Sequence, residues 1–363
     1  MIKWMKKSSR DVPKSQPNTT SKANDSFVEF KRFADAAAKA WKKGFCLHPE
    51  AKIGNCDRII DAHTIPRAST LSRVKDPSGH LLTFHSFRRV FEESKGPWKV
   101  GWRLASTFRG FCAKHDNETF APLEKQTFNR LPEQCFLLAF RGICYELFCK
   151  KWAVQTVRIL AEDLQQGLDI ARRDSALQFL HWFEQGVRTG IRDLMVCKER
   201  LDKDLLARRF SVWQHMGFTL TGELSIAATG VITPEVSFDG RVLQNLRDLD
   251  TLIFPVVVSM LVSCEDRFEI VLSWPTEAAC CREYVTSLVS AVSKHDLPQA
   301  LVRFLFATVE NVYFSPQWWN NLNKQQKTLI CQLASKMEPD PGAIVKPGRP
   351  LVNWELVDLW SVG

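Results

Sequence analysis

Three thiols and one imidazole, arriving as two pairs, constrain this chain more than any other feature: Cys46 with Cys56, then Cys112 with His115. Thiolate and neutral imidazole are the donors a structural zinc ion prefers, and three cysteines with one histidine complete its tetrahedron. Cys112 and His115 are three residues apart, a spacing that suits a turn leading into the first turn of a helix. Gly54-Asn55-Cys56-Asp57-Arg58 suits a tight turn entering a strand. An ion holding both pairs would pin that helix against the strand, in a segment too polar to order itself by burial. The first pair is widely spaced, with nine residues between its members where two to four are usual, so His48 is a rival ligand.

Between the pairs runs Asp61-Ala62-His63-Thr64-Ile65-Pro66-Arg67, and Asp116 directly follows the last ligand. An imidazole near its free pKa can take a proton from water at neutral pH, which makes His63 a candidate general base. A carboxylate at the start of the expected helix would project towards the His63 face, and it is a hard ligand suited to Mg²⁺ or Mn²⁺. Arg67 has the fork to grip a phosphate through two bonds. The plainer reading of His63 is a hydrogen-bonded histidine that buttresses the knuckle. Glu124 lies eight residues after Asp116, but Pro122 between them argues against one helix holding both, so Glu124 reads first as a surface charge.

These residues carry a resemblance. Cys46…Cys56, Ala62-His63-Thr64-Ile65-Pro66-Arg67 and Cys112-Ala113-Lys114-His115-Asp116 resemble the HNH, or treble-clef (ββα-metal), nuclease superfamily over about residues 44–124. The stretch 105–124 is also similar to uncharacterised bacterial proteins with such a motif. The resemblance implies a zinc-stapled ββα finger, His63 as base, Asp116 as ligand of a catalytic cation, and metal-dependent hydrolysis of nucleic acid, with a role in bacterial defence. Two positions depart from the family. Ala62 stands where an acidic residue often precedes the histidine, leaving Asp61 one position further back. The family's middle asparagine is absent, and Ser106 or Thr107 occupies that region. These departures favour the alternative, a non-catalytic zinc-finger module for nucleic-acid binding or assembly.

Charge points to the same segment. Residues 1–130 hold 25 Lys/Arg against 13 Asp/Glu, a net +12, whereas the remainder holds 24 against 27, a net −3. A basic field there attracts phosphate backbones without sequence preference, so nucleic acid, DNA foremost, is the expected partner. Residues 69–110 read as an insert between the two halves of the finger. It interleaves aromatic and basic residues: Phe84, His85, Phe87, Arg88, Arg89 and Phe91, then Trp98, Lys99, Trp102 and Arg103. Arg88, Arg89, Lys99 and Arg103 are candidate phosphate contacts, and exposed aromatics can stack on unpaired bases. The competing reading makes the aromatics a small core and the arginines its solvated face.

Eleven cysteines, an odd number in a 363-residue chain, argue against a disulfide scaffold. With no secretory signal and no apolar run long enough to span a bilayer, the expected home is the reducing cytoplasm, with no membrane partner. Cys135, Cys144, Cys149, Cys197 and Cys331 fall in apolar helical stretches, as small core hydrophobes do.

The expected fold class is α+β. Residues 1–26 read as a disordered basic tail. An HNH-like finger domain spans 27–130, opening with a helix over Phe27–Lys43. Residues 131–210 form a long helical hairpin, from Pro132 to about Gln166 and from about Ser175 to Arg209. Residues 211–340 form a mixed antiparallel-sheet and helix domain. In it Glu265-Asp266 joins two β-rich runs, and helices cover about 277–293, 297–312 and 316–337. Residues 341–363, with Pro341, Pro347 and Pro350, read as an irregular tail. The helical and C-terminal regions are where a partner protein or a second copy would dock.

Overall fold

In the computed structural model, residues 43–52, 54–84, 96–164, 170–335 and 339–363 are described. The expected tail 1–26 and all but the last residue of the expected helix 27–43 lie outside them. The molecule is mixed α and β.

The strands are β1 (Ile59–His63), β2 (His80–Thr83), β3 (Trp98–Gly101), β4 (Thr107–Cys112), β5 (Trp213–Thr221), β6 (Ile226–Ile232), β7 (Val256–Val262), β8 (Arg267–Pro275), β9 (Val312–Phe314) and β10 (Glu355–Val362). Among the described strands β1 and β4 form a two-stranded pair. The other eight form one antiparallel sheet in the order β10-β5-β8-β7-β6-β9-β2-β3. The helices are α1 (Ala113–Thr119), α2 (Ala121–Glu124), α3 (Pro132–Leu164), α4 (Ile170–Leu206), α5 (Ala279–Ser290), α6 (Leu297–Thr308), α7 (Pro316–Asn321), α8 (Lys324–Ser335) and α9 (Pro341–Val345). A single π-helical turn over Arg67–Leu71 follows β1 and runs into a turn of α-helix at Ser72–Val74.

The sheet is covered on both faces, which is why β7, Val-Val-Val-Ser-Met-Leu-Val, reads as an apolar run broken by a single serine. Val256, Val258 and Met260 face a core shared with α5, α6 and α8. Val257 and Leu261 face a second core, built with α3 and with Phe108 and Phe111 of β4. Gly142 permits that second contact, since a Cβ there would stand 2.4 Å from Cγ1 of Val257. α3 and α4 run antiparallel as the expected hairpin. Arg158 meets Glu184 near one end, and Lys198 lies over the Phe140 ring near the other.

Several expectations need correction; the helix expected over 316–337, for one, breaks after Asn321 into α7 and α8. Part of the insert 69–110 does not stay with the finger: β2 pairs with β9 through Leu82 and Phe314, so β2 and β3 extend the C-terminal sheet. The expected irregular tail 341–363 contains α9 and β10, and β10 forms the far edge of the sheet against β5. Trp360 lies over Gly217, where a Cβ would meet its ring at 2.0 Å, and its Nε1 donates to the buried Glu269 carboxylate at 3.0 Å. The helix expected over 297–312 stops at Thr308, and Val312–Phe314 becomes strand β9.

Candidate functional site

The site grows from the β1–β4 pair. Ile59 faces Cys112 and His63 faces Thr107, with a register shift between Ile60 and Ala62 that leaves an extra residue on β4. The chain entering this hairpin runs beside β4: the Phe45 and Leu47 amides donate to the Arg109 and Gly110 carbonyls at 3.0 and 2.9 Å. Gly44 makes this approach possible, with φ of 58° and a Cβ position 2.7 Å from Arg109 and Ile59. Cys46 is thereby laid against the end of β4. The loop turns back at Gly54, and Cys56 returns the chain to β1.

Cys112 ends β4 and caps α1, its sulfur accepting from the His115 amide at 3.5 Å. Asp57 accepts from the Lys114 amide at 3.0 Å, which holds its carboxyl below the usual range, and Lys114 Nζ donates to Asn55 Oδ1 at 2.7 Å. These bonds fix the start of α1 against the loop. As a result the sulfurs of Cys46, Cys56 and Cys112 lie 3.5, 3.6 and 3.3 Å from His115 Nδ1. All four donor atoms fall within 4.8 Å of one another, so the group could hold a metal ion. Burial pushes the Cys46 thiol up to about 11, so an ion binding there must displace its proton.

His48, the rival ligand, is close by but differently used. Its ring stacks on His115 with centroids 4.1 Å apart and planes 11° from parallel, and its Nδ1 accepts from the Glu50 amide at 3.2 Å. His48, Glu50 and His115 also bring donor atoms within 4.8 Å. The stacked rings turn their faces, not their nitrogens, to each other. Burial, then the charge of His115, lowers the His48 pKa to about 4.

His63 closes β1. Its Nε2–H donates to the Arg103 carbonyl at 3.2 Å, and because a carbonyl only accepts, this bond assigns the proton to Nε2 and leaves Nδ1 with a lone pair. Burial, followed by the charge of Arg67, lowers its pKa to about 4, so the ring is neutral at pH 7. Asp116 is half-buried, with Oδ1 enclosed and unpartnered among the described residues. Burial raises its pKa against the opposing pull of Arg141.

Arg141 and Glu124 carried no such role in the sequence. Arg141 lies mid-way along an apolar stretch of α3, yet it is 2% exposed, covers the Phe120 ring at 4.0 Å and donates to Glu124 Oε1 at 2.7 Å. His63 and Asp116 both feel the charges of this pair. Glu124 is exposed, as expected from the sequence, and it is also held by Arg141. Asp61, itself exposed, pairs instead with the partly buried Arg109 at 3.3 Å.

Near Ser106 and Thr107 a distant asparagine contributes. Asn311 donates to Thr64 Oγ1 at 3.0 Å and to Ser106 Oγ at 3.1 Å, and those two hydroxyls bond to each other. The three residues are buried. Asn311 thus ties the residue after His63 to the residue before β4, across 205 positions of sequence from Ser106. Thr107 is engaged locally, donating to the Leu104 carbonyl at 2.9 Å.

Of the expected nucleic-acid contacts, Arg88 and Arg89 lie outside the described residues. Lys99 is exposed on β3, and Arg103 is exposed with its guanidinium 5.7 Å from the Trp102 ring centre. Arg67 stands at 5.8 Å from the same ring. Among the described residues no helix is long and apolar enough to cross a membrane. No family model, curated protein or solved structure matches the chain.

Proposed function

We propose that this chain is a metal-dependent nucleic-acid phosphodiesterase of HNH type, built on a zinc-stapled treble-clef finger. What supports the reading is the place of His63: its Nε2 bond fixes the imidazole at one end of a hairpin whose other end brings together four side chains that could hold a metal ion, although burial lowers its pKa to about 4 and makes it a weaker base than a free imidazole. Zinc is favoured by geometry. A tetrahedral ion with Zn–S of about 2.3 Å and Zn–N of about 2.05 Å has S···N edges of about 3.5 Å. The three observed separations, 3.3 to 3.6 Å, bracket that edge.

In this reading His63 Nδ1 takes the proton of the attacking water. Asp116 is the residue that would hold a hard divalent cation, Mg²⁺ or Mn²⁺, whose chemistry is to neutralise charge at the phosphate. Arg67 and Arg103 stand beside His63 to bind phosphate oxygens. The role of Asn311 is positional, since it holds the turn that carries His63.

The second reading is a non-catalytic nucleic-acid-binding module. It is favoured by Arg141, whose buried positive charge acts on Asp116 and pairs with Glu124, and so competes with any cation there. Cleavage assays separate the two. Wild type and His63→Ala are compared on plasmid and single-stranded substrates with Mg²⁺ or Mn²⁺. The nuclease reading expects a loss on the order of 10²–10⁴-fold in rate, with metal content and affinity kept. Equal cleavage by both proteins rejects His63 as the base, and binding without cleavage by either supports the second reading.

A further inference from the structure

Beside His63 one surface gathers positive charge around a single aromatic ring. Trp102, just after β3, has the Arg67 guanidinium at 5.8 Å from its ring centre, the Lys75 ammonium at 5.7 Å and the Arg103 guanidinium at 5.7 Å. Among the described residues none of the three cations meets a carboxylate at ion-pair distance. Asp76, the nearest acid in sequence, spends Oδ1 on the Ser78 hydroxyl and the His80 amide at 2.7 and 2.8 Å.

The ring is preset while the cations are not. Trp102 packs on a small core of Ile65, Leu71, Val74, Leu81 and Ala105, and its amide donates to the Gly79 carbonyl at 3.0 Å. Arg67 and Arg103 are long exposed side chains that reach the half-buried indole. Like charges repel, and cation–π contact with the indole offsets only part of that cost. Such a cluster is completed by a ligand carrying several negative charges and one flat face.

Resting on the phosphodiesterase reading above, we propose that Trp102, Arg67, Lys75 and Arg103 form a subsite for single-stranded nucleic acid next to His63. The guanidiniums exchange the indole for phosphate oxygens, and the ring face they leave stacks on an unpaired base. A duplex keeps its base faces covered and can use only the cations. Arg103 links the subsite to the base directly, because its own carbonyl holds the His63 imidazole.

The test is equilibrium binding by the full chain carrying His63→Gln, which keeps a donor for the Arg103 carbonyl and removes cleavage from the readout. Fluorescence anisotropy is followed with a labelled mixed-sequence single strand and a duplex of equal length, at several salt concentrations. We expect tighter binding of the single strand. Trp102→Leu should weaken it about 5- to 100-fold and change duplex binding less than about twofold, with Trp102→Phe recovering part of the loss. The triple variant Arg67→Ala/Lys75→Ala/Arg103→Ala should reduce the slope of log K against log salt by about 2 for the single strand. Equal weakening of both ligands by Trp102→Leu, or an unchanged salt slope in the triple variant, would overturn the proposal. If Trp102→Leu fails to fold by its melting transition, the Trp102→Phe and triple variants carry the test. Cleavage by wild type with no strand preference rejects the subsite and leaves the phosphodiesterase reading standing. Single-strand preference without cleavage does the reverse.

Discussion

The knuckle and the sheet hold their backbones by different means. Among the described residues of 46–58 only Leu47 is buried, whereas six of the seven residues of β7 are. β7 is desolvated from both sides by helices that the same chain supplies, and burial of that apolar surface suffices to order it. The knuckle has turns, a few backbone bonds to β4 and the Lys114 contacts, but too little apolar surface to offset the entropy of ordering a dozen residues. In the proposed reading its order rests on a metal ion held by the four donor atoms that converge there. Inward of those donors the hairpin changes character. Phe108 and Phe111 of β4 are fully buried among Phe120, Phe140, Tyr145 and Phe148. In that reading the hairpin has one side held by metal ligands and one by aromatic packing.

The largest effect that separates these regions should come from metal removal. Chelation, or Cys112→Ser, should release the Leu47, Asn55 and Ala113 amides to exchange at nearly unprotected rates, because structural zinc contributes on the order of 10 kcal/mol to the segment it orders. The amides of β7 should stay protected. Hydrogen exchange read residue by residue gives both outcomes at once, and simultaneous loss in β7 would mean that knuckle and sheet are one cooperative unit.

A smaller effect should follow from Arg141→Met. The variant keeps the packing over Phe120 but leaves Glu124 without its partner and Asp116 without an opposing charge. Breaking a buried pair in this way costs about 3 kcal/mol. Glu124 keeps 33% of its side chain in solvent, so the value should fall at or below that figure. Urea unfolding measures it. A cost under about 0.5 kcal/mol would show that Arg141 is a spectator.

Little of this polar centre was legible in the sequence, and the reason is physical. The ligand pairs announce themselves because metal chemistry restricts residue type and local spacing at once. The long helices announce themselves by period, and β7 and β8 by apolar runs split by Glu265-Asp266. Arg141 has no local signature: a lone arginine in an apolar helical run reads as a solvated charge until its neighbours Phe120 and Glu124 are known. The link from Asn311 to the His63 turn is hidden for the same reason, since its partners Thr64 and Ser106 are more than 200 residues away. β10 was hidden by the prolines before it, which mark irregular chain but say nothing of a strand that docks through Trp360 and Gly217. Pairings of β2 with β9 depend on register across distant segments, which composition does not encode.

The sheet should also show its own weak point at low pH. His215 on β5 is 1% exposed, bonds to Ser273 Oγ at 2.8 Å, and burial pushes its pKa down to about 3. The unfolded chain takes up this proton near pH 6.5 and the folded chain refuses it until far lower. The neutral form therefore favours folding fully above about pH 6.5, and that advantage is lost as pH falls towards 3, by about 1.4 kcal/mol per unit. Between pH 6.5 and 5 wild type should lose about 2 kcal/mol more than His215→Gln, read by urea unfolding at each pH. Parallel pH profiles for the two proteins would show that His215 titrates in the fold as it does in water.

The contrast between ligand-held knuckle and packed sheet is tested most directly by zinc X-ray absorption on the purified full-length chain, with metal content measured on the same sample. The expected spectrum has three sulfur scatterers at about 2.3 Å and one nitrogen at about 2.05 Å, at one zinc per chain. Cys56→Ser should replace one sulfur by a lighter scatterer, and His115→Ala should remove the nitrogen. Zinc well below one equivalent, or a shell of oxygen and nitrogen alone that neither substitution changes, would contradict a knuckle ordered by Cys46, Cys56, Cys112 and His115.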